Sequence, residues 1–165
     1  NDDAYYNSIR DKRASLFSVS SASCAILINE ETKRINQFGM FGESLGKAFQ
    51  IADDILDFVG DSSKTGKGIG LDLLQGKVTL PLIYSLREGA GNESEKIMGT
   101  LNNGLNEESL NTILDFINNN GGIEYARRQA AHFGKDALEF ISEFPKSSYR
   151  ESLENLIQFT INRDN

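Results

Sequence analysis

Proline occurs only at positions 81 and 145 of this 165-residue chain. The first half therefore contains no residue whose covalent geometry forces a helix to stop. Alternating β-branched residues are almost absent, so helix is the default state along the chain. Apolar spacing predicts helices over about Ala4–Asn29, Glu31–Val59, Thr79–Arg87, Glu93–Asn102, Glu107–Asn118, Ile123–Phe144 and Ser148–Asn162. Between the second and third, Gly60, Gly66, Gly68, Gly70 and Gly76 lie among Asp, Ser and Lys, a composition that does not hold a helix. Pro81 fits the first turn of the third helix. Asn119-Asn120-Gly121-Gly122 reads as a stop and turn, and Ser148-Tyr149-Arg150-Glu151 has the spacing of a capping box. The stretch Ser18 to Ala25 is rich in Ser and Ala, small residues that let a neighbouring helix come close. The expected fold is all-α, one domain over residues 1–165, with no repeat and no linker.

Hydrophobic residues make up 39% and charged residues 25%, the balance of an ordinary water-soluble globular protein. The net charge of -7 argues against a general nucleic-acid surface but leaves room for an anionic ligand in a locally basic pocket. Cys24 is the single cysteine, so no internal disulfide forms and a reducing cytoplasm is compatible. It sits in the small-residue stretch and is expected to fill the core. No apolar run approaches the roughly 18 residues of a membrane-spanning helix. The start, Asn1-Asp2-Asp3-Ala4-Tyr5-Tyr6, carries neither an initiator Met nor a signal-peptide pattern and reads as mid-chain sequence. His132, the sole histidine, has no partner motif and is read as a surface or packing residue. Phe133, Phe140 and Phe144 recur at near-helical spacing and are read as core, while Asp136, Glu139 and Glu143 form a solvated face.

The most informative segment is Gly46 to Val59. At 3.6 residues per turn, Gln50, Asp53, Asp54 and Asp57 fall within an arc of roughly 100°. Phe49, Ile51, Ala52, Ile55, Leu56, Phe58 and Val59 cover the remainder, so this helix is expected to be largely buried. Carboxylates so close repel: two charges about 6 Å apart cost on the order of 3 kcal/mol at an effective dielectric near 20. An interior raises their pKa values or demands a cation. Asp is also a poor helix-interior residue, so nothing local rewards its triple use. A solvated polar stripe normally mixes Glu with Lys instead. Grouped hard oxygen ligands suit Mg²⁺, particularly Mg²⁺ that also binds substrate phosphates.

The loop that follows contains Lys64, Lys67 and Lys77 among glycines. Lysines near a carboxylate cluster look like the phosphate half of a metal–phosphate site, with glycines that admit the backbone to a ligand. A Walker loop is excluded by the spacing and by the lack of a preceding strand. Phe49-Gln50-x-x-Asp53-Asp54-x-x-Asp57, followed by Gly66-Lys67-x-x-Gly70-x-Asp72-Leu73-x-x-Gly76-Lys77-x-Thr79-Leu80-Pro81, resembles the second half of the trans-type polyprenyl diphosphate synthases. Lys12-Arg13-Ala14-Ser15-Leu16 is similar to that family's Lys-Thr-Ala-x-Leu segment. The ending from Ala137 to Arg163, with Phe144-Pro145 and Arg150, is similar to its C-terminal helices.

The resemblance implies a helical bundle of the isoprenoid synthase type, here without its N-terminal helices. It implies that Asp53, with Asp54 and Asp57, holds magnesium bound to an allylic diphosphate. Lys12, Lys67 and Lys77 would contact that diphosphate, and Gln50 would face the reacting prenyl chain. The implied activity is head-to-tail condensation of isopentenyl diphosphate with the allylic diphosphate, in a cytoplasmic homodimer. Arg13 stands where the family usually has Thr, so a hydroxyl contact is lost; the guanidinium either grips phosphate in its place or points elsewhere. No first Asp-rich motif is present, because Asp2-Asp3 lacks the spacing and the basic sequence that should follow. The expectation is an enzyme piece that needs an upstream half, with an exposed apolar arc around Ile51, Ile55 and Phe58 when alone. A non-catalytic subunit of a heteromeric synthase is the alternative, disfavoured by the intact lysines and Gln50. A terpene cyclase of the same fold is disfavoured by the glycine–lysine loop.

Overall fold

The computed structural model describes residues 1–59 and 69–163. Those residues are almost entirely helical, and they include no strand. The first predicted helix forms in three stretches: α1 (Asp2–Ile9), a π turn over Arg10–Ala14, and α2 (Ser15–Leu27). Burial accounts for the π turn. Tyr5, Ile9 and Ala14 are all buried. On an α-helix Ala14, five residues after Ile9, would rotate well away from its face. An i→i+5 turn brings it back.

The long helix α3 (Thr32–Val59) returns alongside the first. Their contact is a seam of small residues. A Cβ on Gly42 would lie 2.2 Å from the Phe17 carbonyl oxygen, and one on Gly46 would lie 2.7 Å from Ala14 Cα. Gly39 approaches Ser18 and Ala22 in the same seam, as the Ser/Ala-rich stretch predicts. Cys24 does not fill the core: it is exposed. Its neighbour Ala25 takes the inward position on α2 instead, with no exposed surface.

After the loop come a single turn α4 (Leu71–Leu74) and the helices α5 (Leu80–Glu88), α6 (Gly91–Asn103), α7 (Glu107–Asn119), α8 (Gly122–Ser142) and α9 (Ser148–Asn162). Pro81 occupies the first turn of α5 as predicted. Gly121 makes the α7–α8 turn at φ 69°, a left-handed backbone that suits glycine. The turn α4 is not expected from so glycine-rich a segment. The Asp57 carboxylate accepts from the Asp72 amide at 3.0 Å and Leu73 is buried in the core, so tertiary contacts hold it. The cap of α9 is Ser147, one residue earlier than predicted, with its hydroxyl accepting from the Arg150 amide. Arg150 in turn donates to the Ser142 and Phe144 carbonyls and closes the α8–α9 corner.

One core joins Ile51, Ile55 and Phe58 of α3 to Tyr5 and Ile9 of α1, Leu80 and Leu82 of α5, Ile113 and Ile117 of α7, and Ala126 of α8. A second joins Phe41 and Leu45 of α3 to Ala137 and Ile141 of α8 and Ile157 of α9. The arc expected to be exposed is therefore covered by the chain's own helices: Ile51 and Ile55 are at most 1% exposed. Exposed apolar residues lie elsewhere, among them Leu16, Val19, Ile26 and Leu27 of α2, Met40 of α3, and Leu156 and Phe159 of α9. Phe133 packs against the first core, and Phe140 and Phe144 pack against Phe38. His132 is a surface residue beside Phe133. No described helix is long and apolar enough to cross a membrane.

Candidate active site

The last three turns of α3 meet the first helix, the α4 turn and the end of α9 around a cleft of about 930 Å³. Tyr5, Lys12, Arg13, Gln50, Asp53, Asp54, Asp57, Asp72, Lys77 and Arg163 all line it. The π turn places both Lys12 and Arg13 on its wall, although consecutive residues on an α-helix point about 100° apart. The structure thus gathers every predicted site residue that it describes. Lys67, with the rest of 60–68, lies outside the described residues.

The carboxylate stripe divides. Gln50 and Asp54 face the buried side, while Asp53 and Asp57 remain partly exposed. Tyr5 donates its hydroxyl to Asp54 Oδ2 at 2.7 Å, and Gln50 Nε2 donates to Oδ1 at 2.7 Å. Burial pushes the Asp54 carboxyl up to about 6 even though both hydrogen bonds favour its ionised form. Burial likewise raises Asp57, against the stabilising bond from the Asp72 amide. Asp72 also holds Lys77 at 2.5 Å, a contact that raises the ammonium's pKa and keeps it charged.

Asp53 has different company. Arg163 donates to its Oδ1 at 3.2 Å, and Arg13 stands 3.5 Å from its Oδ2. The Arg163 guanidinium is fixed over the Phe49 ring, 4.9 Å from its centre.

The donor set can be tested against a hard divalent cation. Among the described residues no three His, Cys, Asp or Glu side chains converge closely enough to enclose one. The oxygens of Asp54 are taken by Tyr5 and Gln50, and Asp57 is engaged by a backbone amide. Asp53 is the carboxylate of the stripe that meets the cleft through side-chain cations alone, with Oδ2 held only by the loose contact to Arg13. One protein carboxylate completed by phosphate oxygens and water fits Mg²⁺, which seldom uses an all-protein cage.

Four carboxylates (Asp53, Asp54, Asp57, Asp72) and four cations (Lys12, Arg13, Lys77, Arg163) share this cleft. The described lining is therefore close to neutral. The polyprenyl synthetase family matches residues 1–117, well over half of the chain. This chain belongs to the polyprenyl synthetase family. The all-trans-nonaprenyl-diphosphate synthase (geranyl-diphosphate specific) of Rhodobacter capsulatus is 33% identical over 162 residues, covering 98% of this chain and 49% of that protein. The octaprenyl diphosphate synthase of Escherichia coli is 31% identical over 163 residues, covering 97% of this chain and 50% of that one. The crystal structure of the polyprenyl synthase from Caulobacter crescentus, complexed with calcium and isoprenyl diphosphate, superposes with a TM-score of 0.90 at 28% identity. That likeness covers 100% of this chain and 51% of the crystallised one. The chain spans about half the length of the curated relatives it matches.

Three cleft residues carry roles that sequence reasoning missed. Asp72 lies in the quoted loop motif, yet only the fold reveals that its amide bonds Asp57 and its carboxylate holds Lys77. Arg163 was visible only as part of the polyprenyl synthetase ending. Tyr5 gave no signal beyond apolar spacing, since a buried hydroxyl discloses its partner only in three dimensions.

Proposed function

We propose that this polyprenyl synthetase chain forms the allylic diphosphate side of a magnesium-dependent prenyl transfer site. The reaction is head-to-tail condensation of isopentenyl diphosphate with an allylic diphosphate, giving a longer polyprenyl diphosphate. The observation that carries the reading is the balanced lining of the cleft: among the described residues, Asp53 and three further acids share it with four cations. A bare diphosphate gains little from a neutral wall, whereas a metal–diphosphate pair meets both signs at once.

Asp53, aided by Asp54 and Asp57 around it, is the anchor for magnesium on the diphosphate. Lys12, Arg13 and Lys77 bind diphosphate oxygens from the facing wall, joined by Lys67 of the loop. Magnesium, when bound, supplies charge stabilisation for the departing diphosphate. The basic side chains add fixed positive charge where negative charge develops as the allylic carbon–oxygen bond breaks. Isopentenyl diphosphate then attacks the allylic cation and loses a proton. Gln50 stays on the cleft wall facing the prenyl chain while its amide steadies Asp54.

The working enzyme includes an upstream half carrying the first Asp-rich motif and acts as a cytoplasmic homodimer. The exposed apolar face of α2, from Leu16 to Leu27, supports further polypeptide covering this side. One experiment tests the reading: prenyl transfer with allylic and isopentenyl diphosphates and Mg²⁺, for the chain alone and joined to an upstream half. The chain alone is expected to be inactive and the joined form active. Within the joined form, Asp53→Asn and Lys77→Ala are expected to slow turnover roughly 100-fold or more. Unfolding free energy should change by less than about 1 kcal/mol. Robust turnover by the chain alone, or losses that only track the unfolded fraction, would overturn the assignment.

A further inference from the structure

Asp53 is gripped by two arginines that differ in freedom. The Arg163 side chain is 19% exposed and lies over Phe49, so its guanidinium has little room to move. The Arg13 side chain is 48% exposed and reaches Asp53 Oδ2 only at 3.5 Å, a loose ion pair. It projects from the π turn beside Lys12, on the wall where diphosphate oxygens would lie. A cation arriving at Asp53 meets a guanidinium already in its place. Both cannot keep the same oxygen without bringing like charges together.

We propose that Arg13 is an exchangeable counter-ion for Asp53: it neutralises this carboxylate in the metal-free protein and moves to the diphosphate when a divalent cation takes Asp53. The inference rests on the metal–diphosphate reading of the cleft and adds a direction to it. Arg13 opposes binding of the metal alone and favours binding of metal and diphosphate together. Metal without substrate is thereby disfavoured, and the two enter as a pair. A guanidinium suits this exchange, because its planar fork serves carboxylate and phosphate oxygens alike and it stays charged throughout.

The test is calorimetry on the native full-length protein and its Arg13→Gln and Arg13→Lys variants. Mg²⁺ is titrated alone, and pyrophosphate is titrated at saturating Mg²⁺. Arg13→Gln is expected to bind Mg²⁺ alone roughly fivefold more tightly, because the competing charge is gone. It is expected to bind pyrophosphate roughly tenfold more weakly, because one charged donor is lost. Arg13→Lys should fall between wild type and Arg13→Gln in both titrations. Arg13 is half-exposed, so thermal unfolding should confirm that both variants are folded. Unchanged or weaker Mg²⁺ binding by Arg13→Gln would overturn the exchange. Tighter Mg²⁺ binding with undiminished pyrophosphate affinity would overturn it as well, since the released guanidinium would then have no destination. Failure of the wild-type protein to bind pyrophosphate with Mg²⁺ would instead remove the underlying reading, and the exchange with it.

Discussion

Asp54 lies beneath the cleft with Tyr5 on one carboxylate oxygen and Gln50 on the other, while Asp53, one residue earlier, faces two arginines. Adjacent identical residues thus face different environments. Burial places the Asp54 pKa at about 6, above the ordinary carboxylate value, so the folded protein holds that proton more tightly than the unfolded chain does. The resulting stability is fully present below about pH 4 and is lost as pH rises through about 6. Asp54→Asn removes this dependence. Its amide carbonyl still accepts from Tyr5, and Gln50 can turn over its Oε1, which has no partner among the described residues, to accept from the new NH₂ group. In magnesium-free buffer, the stability of Asp54→Asn relative to wild type should therefore rise by about 2 kcal/mol between pH 4 and pH 7. Urea unfolding at both pH values measures this, and a constant difference would mean that Asp54 ionises freely. Helical spacing put Asp53 and Asp54 on one stripe but not in separate environments. A wheel gives angles, whereas burial depends on what packs opposite, here Tyr5 from a helix about fifty residues away.

At the scale of elements, the first helix pair fixes where Lys12 and Arg13 stand relative to Asp53. Most helix ends were legible because local chemistry sets them: Pro81 at a first turn and Gly121 at a left-handed turn. The π turn was not legible. Arg10 to Ala14 reads as ordinary helix, and only simultaneous burial of Ile9 and Ala14 against α3 selects the wider turn. Cys24 was misplaced for a related reason, because composition does not say which small residue of α2 faces inward. The glycine seam makes this packing testable. Gly42→Ala puts a methyl 2.2 Å from the Phe17 carbonyl oxygen, so α2 and α3 must separate. The expected net cost is about 2 kcal/mol, after allowing for alanine's better helix propensity. A Cβ on Gly99, within α6, would meet nothing within 4 Å, so Gly99→Ala should stabilise by about 0.5–1 kcal/mol. Denaturant unfolding of the pair checks both signs, and two stabilised variants would refute close packing at the seam.

At the scale of the whole molecule, the cleft draws on residues from Tyr5 to Arg163, nearly the full length of the chain. The Asp-rich stripe and the lysine-bearing loop marked its centre in the sequence, because both motifs are local. Its outer wall was less legible: Arg163 comes from the far end of the chain, and Asp72 acts through a turn formed by tertiary contacts. Burial of the Asp-rich helix was legible, but the covering of Ile51 and Ile55 within this chain alone was not, since it comes from a core shared with distant helices. Exposed apolar residues gather instead on α2 and on α9. The proposed function stands on the binding of magnesium together with diphosphate by Asp53 and its neighbours. Its most direct test is a calorimetric titration of Mg²⁺ into the native protein with and without pyrophosphate, corrected for binding of Mg²⁺ to free pyrophosphate. Mg²⁺ is expected to bind at least roughly tenfold more tightly when pyrophosphate is present. Equal affinity in the two titrations would contradict the proposed function.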